Sequence, residues 1–391
     1  MASSRYHHVS VAVPALAERD NLPGLLCRLG GQTHHDFTLY ICINNEEGGY
    51  GFEENQESLQ LLRQATGFPM VVIDRSSHGC GWTGKKKGVG WARKLLFERI
   101  MAEHDGDDLV VSLDADTDFD ADYLEAVVRA FNNYPECSAF SVPYYHPLNG
   151  IDALDRPLLR YECYMRHYLV NLMSIGNPYA FTALGSAIAF PLWAYRRVGG
   201  ITPLQGGEDF YLLQKFVKTG TILQHFPHDE YSGMVVRPQG RASGRVPFGT
   251  GPAIAGGVGE METRYPFYRP EGFADIKATF DAFAQLYERD IETPMTSFLR
   301  QQLDTDDLWE PLRRNFRTRE HFVHACVERV DGLRILQYLK NTPAFHLPDK
   351  ALGVDFKQDT IATLDAFRRQ LFGQEMELRQ KTLATLSNKK R

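Results

Sequence analysis

Apolar and polar positions along the first half of the chain fall into short runs of two kinds. Val9-Ser10-Val11-Ala12-Val13 is a β-branched run that stops at Pro14, which reads as a strand. Asn21 and Pro23 then open a helix with Leu22, Leu25, Leu26 and Leu29 at helical spacing, closed by Gly30-Gly31. A second strand is expected over 39–43, ending in Asn44-Asn45-Glu46-Glu47, a helix over 55–65, and a third strand over 70–73 ending at Asp74. A Gly-rich loop, 79–90, leads to a helix through Ala92, Leu95, Leu96 and Ile100. The run Leu109-Val110-Val111-Ser112-Leu113 has the length of a buried strand and breaks into Asp114, Asp116 and Asp118 at alternate positions. Leu124, Val127, Val128 and Phe131 mark the next helix. Four alternations of strand and helix predict a doubly wound α/β domain with a mainly parallel sheet and helices on both faces. Right-handed crossovers would gather the polar strand ends on one rim, where such sheets place ligands.

The pattern then loosens. A strand is expected over 139–143, a tyrosine-rich helix over 158–173, and a helix over 210–217 that follows Glu208-Asp209 and stops at Gly220. A strand over 222–226 precedes a polar, Gly-rich segment, 237–251, containing Arg241 and Arg245. Past Gly259 only helical stripes remain: Ile276, Phe280, Phe283, Tyr287; Val323, Cys326, Val327, Val330; and Ile361, Leu364, Phe367, Leu371. The expected division is an α/β domain over 1–255 and a helical C-terminal region over 256–391.

Composition narrows the class. With 391 residues, 43% hydrophobic and 24% charged, the chain has ample material for a large core. A formal net charge of -6 argues against nucleic-acid binding by bulk electrostatics. Six cysteines without a C-x-x-C pair fit free thiols in a reducing compartment. The most apolar stretch, 181–198, is broken by Pro191 and too short for a transmembrane span, so a cytoplasmic location is expected.

Two chemistries compete. Gly79-Cys80-Gly81-Trp82-Thr83-Gly84-Lys85-Lys86 comes close to the phosphate-cradling G-x-x-x-x-G-K-[ST] and sits between strand and helix, as a P-loop-like nucleotide hydrolase requires. Lys86, however, stands where that chemistry needs a hydroxyl for Mg²⁺, and Glu208-Asp209 and the arginine loop are left without a role. The other reading uses all the polar clusters. The first strand with its loop, 9–22, the segment Lys87-Gly88-Val89-Gly90-Trp91-Ala92-Arg93-Lys94, the D-x-D Asp114-Ala115-Asp116, Gly185-Ser186-Ala187 with Val198-Gly199-Gly200, and Glu208-Asp209 resemble, in order and spacing, the family 2 glycosyltransferases of the GT-A fold. The likeness covers residues 8–235.

The resemblance implies a nucleotide-sugar-dependent hexosyl transfer to an acceptor hydroxyl, with inversion, assisted by Mg²⁺ or Mn²⁺. It implies Asp116 as the metal ligand. Asp114 would accept from the donor's ribose or support the site and the metal, and Asp118 would lie outside. Asp209 would be the general base, with Glu208 beside it, and its place at a helix start would favour the ionised form. Donor contacts would come from Pro14 to Glu18, Asn44, Asn45, Asp74 and Lys87. Arg241 and Arg245 would meet a diphosphate or an anionic acceptor. His225 and His228 lie near where the family often places a further metal ligand. Asn44-Asn45 replaces the family's usual aspartate, so a UDP- or a GDP-sugar remains open, and so does a sugar, lipid or small-molecule acceptor. A non-catalytic nucleotide-sugar-binding protein is the remaining alternative.

Overall fold

The computed structural model describes residues 5–223, 233–247 and 249–389, with side chains through 380. The residues divide into two compact units, one of 1–158, 181–255 and 379–391, the other of 159–180 and 256–378.

The first unit is built in chain order from β1 (Val9–Ala15), α1 (Leu22–Gly30), β2 (Phe37–Asn44), α2 (Phe52–Gln64), β3 (Met70–Arg75), α3 (Val89–Glu103), β4 (Leu109–Ser112), β5 (Thr117–Asp118), α4 (Tyr123–Asn133), β6 (Cys137–Ser141), α5 (Asp152–Ser174), β7 (Ile188–Pro191), α6 (Leu192–Arg197), α7 (Glu208–Thr219), β8 (Thr221–Leu223), β9 (Arg237–Pro238) and α8 (Thr250–Ala255). Seven strands form one sheet in the order β3-β2-β1-β4-β7-β6-β8. The first four are mutually parallel. β7 runs against both β4 and β6, and β6 is parallel to β8. The expected mainly parallel α/β sheet is therefore present, followed by a helical C-terminal region.

The central strands are buried along their whole length, as continuous apolar runs require. Strand order reverses between β1 and β4, whose register pairs Ala12 with Ser112. The loops leaving their carboxyl ends, 16–21 and 113–116, therefore flank the switch point of the sheet. Beyond the Asp114–Asp116 turn, β5 pairs antiparallel with β9, Thr117 opposite Pro238 and Asp118 opposite Arg237. This two-residue ladder brings the arginine loop beside the D-x-D turn.

The second unit is helical, with Pro270–Leu286, Thr296–Leu303, Arg319–Arg329 and Gly332–Lys340 among its helices. Of the first expected stripe, Ile276 and Phe283 are buried while Phe280 and Tyr287 are half-buried. The unit also buries charge. Arg160 is ion-paired with Asp349 at 2.9 Å, and Arg166 with Glu162 at 2.7 Å and with Glu375. Arg368 reaches Glu162 at 3.2 Å. No helix among the described residues is long and apolar enough to cross a membrane.

Candidate active site

The strand-end residues expected to read a base are largely committed to holding the rim together. Asn44 donates to the Ala15 carbonyl at 2.9 Å and accepts from Trp82 Nε1 at 3.2 Å. Asn45 donates to the Glu46 carbonyl and accepts from Asn55 Nδ2 at 2.8 Å. Asn55 in turn accepts from the Ala17 amide, holding that residue at φ 51°, a left-handed conformation rare for a side chain with a Cβ. Asp74 accepts from the amides of Ser76 and Ser77, both at 2.9 Å, and from the Ser77 hydroxyl. Burial would raise its pKa, but these bonds overcome that and leave it below the ordinary carboxylate range. Pro14 is buried within β1. Both asparagines and Asp74 thus shape the pocket wall, because their side-chain hydrogen bonds are made to the protein itself.

The Gly-rich loop does not form the phosphate cradle of a nucleotide hydrolase. The amides of Gly79 and Gly81, which such a cradle would offer to phosphate, both donate to Glu47 at 3.0 Å. A Cβ on Gly81 would lie 2.7 Å from the Glu47 backbone, so the approach is close. The P-loop-like alternative fails here, since an internal carboxylate occupies its anion-binding amides. Lys87 pairs with Glu46 at 3.2 Å, on the exposed side of the same loop.

At the switch point the structure brings four carboxylates and three arginines together. Glu18 is buried in the loop after β1 and is ion-paired with both Arg241 and Arg245, the latter at 2.9 Å. Arg245 also donates to the Leu16 carbonyl at 2.6 Å. Arg241 reaches across to Asp116 as well, with Nε at 2.9 Å and Nη2 at 2.7 Å. Burial, then the neighbouring charge of Asp114, pushes the Asp116 carboxyl up to about 6, against the opposing pull of Arg241. Asp114 is more open and pairs with Arg93 at 2.6 Å. Arg93 in turn pairs with Glu208. Asp118 is exposed and lies 3.4 Å from Arg28, outside the cluster.

Glu208 and Asp209 form the first turn of α7, which starts where Gly207 turns the chain with φ 75°. Glu208 is buried and Asp209 half-buried. The helix end does favour ionisation of Asp209, whose carboxylate accepts from the Phe210 amide at 2.7 Å. Loss of solvation outweighs it, and the net shift is upward for both carboxylates. The expected bias of the helix start towards ionisation is therefore present at Asp209 but is outweighed by burial.

Arg93 was not singled out by sequence pattern, although a signal exists. It shares the buried face of α3 with Leu96, Phe97 and Ile100, and a lone cation on an apolar face demands an anionic partner. His225 and His228 lie outside the described residues.

The fit of a divalent cation rests on the carboxylates. Among the described residues there is no cluster of three or more His, Cys, Asp or Glu side chains arranged to hold an ion. Asp116 and Asp114 nevertheless supply hard oxygen donors, and the pKa of Asp116 is held up by burial and then by the charge of Asp114, both of which a bound cation would offset. Mg²⁺ or Mn²⁺ suits that chemistry once Arg241 leaves Asp116.

No family's sequence profile matches the chain, and no curated protein does. Solved structures do resemble it. S. aureus TarS 1–349 in complex with UDP aligns at TM-score 0.40 and 11% identity, over 86% of this chain and 92% of that one. Mannosyltransferase PcManGT from Pyrobaculum calidifontis, in complex with GDP-Man and Mn²⁺, aligns at TM-score 0.40 and 14% identity, over 82% and 86%. Glucosyl-3-phosphoglycerate synthase from Mycobacterium tuberculosis, in complex with UDP, aligns at TM-score 0.32 and 15% identity, over 53% and 64%.

Proposed function

We propose that this chain is a GT-A glycosyltransferase that moves a hexosyl group from a nucleotide-diphosphate sugar, a UDP- or GDP-sugar, to an acceptor hydroxyl with inversion. The observation that carries the reading is the meeting of the D-x-D turn, the Glu208-Asp209 helix start and the Arg241/Arg245 loop at the β1/β4 switch point. A sheet of parallel β3-β2-β1-β4 continued by antiparallel β7 supports the GT-A arrangement.

The residues divide the work by charge. Arg241 and Arg245 offer guanidinium groups to the diphosphate, exchanging Glu18 and Asp116 for phosphate oxygens. Asp209 accepts the proton of the acceptor hydroxyl as that oxygen bonds to the anomeric carbon. The bond from the anomeric carbon to the phosphate oxygen breaks, and its electron pair leaves with the nucleoside diphosphate. Asp116, with Asp114 beside it, would hold a divalent cation, which when bound supplies charge stabilisation for that leaving group. We assign the transferase domain to residues 1–255 and a cytoplasmic location to the protein.

The test is a thermal-shift and transfer screen of UDP-, GDP- and dTDP-sugars with and without Mn²⁺. Stabilisation by one nucleotide sugar and release of its nucleoside diphosphate are the expected results. Stabilisation by ATP and Mg²⁺ alone would overturn the reading.

A further inference from the structure

We propose that Arg93 is a positioning residue for the transfer reaction, holding the Asp114 carboxylate on the donor side and the Glu208 carboxylate beside the base at one fixed separation. The proposal rests on the glycosyl-transfer reading. Its basis is the way four elements close on one guanidinium.

Arg93 sits on the inward face of α3 and is only 5% exposed. Nη2 donates to Asp114 at 2.6 Å, and Nη1 donates to Glu208. Nε is buried and donates to nothing, so the hydrogen bonds of the group go to these two carboxylates, while its charge also acts on Asp209. A planar fork with donors fixed on one rigid frame can span two carboxylates, and an ammonium cannot reproduce that geometry.

The surroundings are shaped to the same end. A Cβ on Gly185 would fall 2.5 Å from Nη1 and nearer still to Cζ and Nη2, so the chain before β7 leaves room for the guanidinium. The Gly185 carbonyl accepts from Ser112 Oγ at 2.7 Å, which fastens that wall to the end of β4, two residues from Asp114. One turn before Arg93 on α3, a Cβ on Gly90 would lie 2.7 Å from Leu204 N and closer to its carbonyl oxygen. The segment leading to Glu208 is thereby pressed against the helix that carries Arg93. Four elements, α3, the end of β4, the approach to β7 and the start of α7, are thus registered through one side chain. A buried ion pair kept for stability alone is a weak device, since apolar groups of equal volume often serve as well. A pair linking two parts of a reaction centre has a use that apolar groups cannot meet. Asp209, next to Glu208 on the first turn of α7, inherits its placement from this contact.

The experiment compares wild type, Arg93→Lys and Gly185→Ala in three measurements: melting temperature, nucleoside diphosphate affinity by calorimetry, and steady-state transfer. Arg93→Lys keeps the charge and loses the span. Gly185→Ala keeps Arg93 and displaces its guanidinium, and it stands in if the lysine variant does not fold. Both are expected to bind nucleotide within about threefold of wild type while kcat falls roughly 10²-fold, the scale of a misplaced reacting group. A kcat within threefold of wild type, or a loss confined to nucleotide affinity and KM, overturns the proposal and leaves the functional reading standing. A wild type that turns over no nucleotide sugar overturns that reading and the proposal with it.

Discussion

Arg241 lies across Asp116, with Nε at 2.9 Å and Nη2 at 2.7 Å from one carboxylate oxygen. The same guanidinium is shared with Glu18. The basic loop and the acidic turn therefore neutralise each other, and anything that binds either must part them. Replacing Arg241 by Gln should weaken nucleoside diphosphate binding about tenfold, through the loss of one charge-assisted contact. The same variant should bind Mn²⁺ more tightly in the absence of nucleotide, because Asp116 no longer has a competing cation. Calorimetry with each ligand separately checks both directions.

Asp209→Asn should lower kcat by roughly 10²- to 10⁴-fold and leave donor affinity unchanged, as removal of a general base does. Retention of full transfer would instead identify another base, whereas donor binding without any transfer by the wild type would identify a binding protein. In wild type the base must be ionised to work, and loss of solvation raises its pKa. The acid limb of the kcat profile should therefore fall above the ordinary carboxylate range, with activity dropping as pH decreases. A pH series from 4 to 9 on one donor and acceptor, on the order of the range carboxylates and histidines span, resolves that limb.

Asp116 should cost the fold stability at neutral pH. Its folded pKa, about 6, lies above the ordinary value of an aspartate, so ionisation is harder in the folded state. The cost is fully present above that folded value and vanishes below the unfolded one. Asp116→Asn should thus stabilise the protein at pH 7 by on the order of 2–3 kcal/mol while abolishing transfer. Urea unfolding at pH 7 and again at about pH 4 should show the gain at the first and little at the second.

Arg166→Met should destabilise the helical unit by about 3 kcal/mol, since the fully buried Glu162 and Glu375 lose a shared cation, although Arg368 still reaches Glu162. Arg314→Met, which breaks an exposed pair with Glu310, should leave stability close to that of the wild type. Thermal unfolding of the two variants separates the cases.

The backbone plan was legible because it follows from periodicity. The run 109–113 became β4, and the stripe Leu124, Val127, Val128, Phe131 became α4. The helix expected over 210–217 became α7, which begins two residues earlier, at Glu208. Side-chain partnerships at the rim were not legible. Asn44, Asn45 and Asp74 sit at strand ends, where ligand contact is the natural expectation. Their partners, Trp82, Asn55 and the Ser76-Ser77 turn, come from other segments and are fixed only by the folded rim. The glycines at 79 and 81 misled for a related reason. Sequence shows that amides are free to converge but not that Glu47 arrives from the preceding loop to meet them. The third strand runs one residue past its expected end at Asp74, to Arg75, and of the strand expected over 222–226 the described part is β8, Thr221–Leu223, the rest lying outside the described residues.

The ladder of β5 and β9 is two residues long on each side, and among the described residues it is the backbone pairing that joins the arginine loop to the sheet-end turn. So short a ladder transmits little from one side to the other. Residues 239–247 are tied back to the rim by side chains instead, Arg241 to Asp116 and Arg245 to Glu18 and the Leu16 carbonyl, so exchanging their charges should leave the seven-stranded sheet untouched and alter anion binding at the rim.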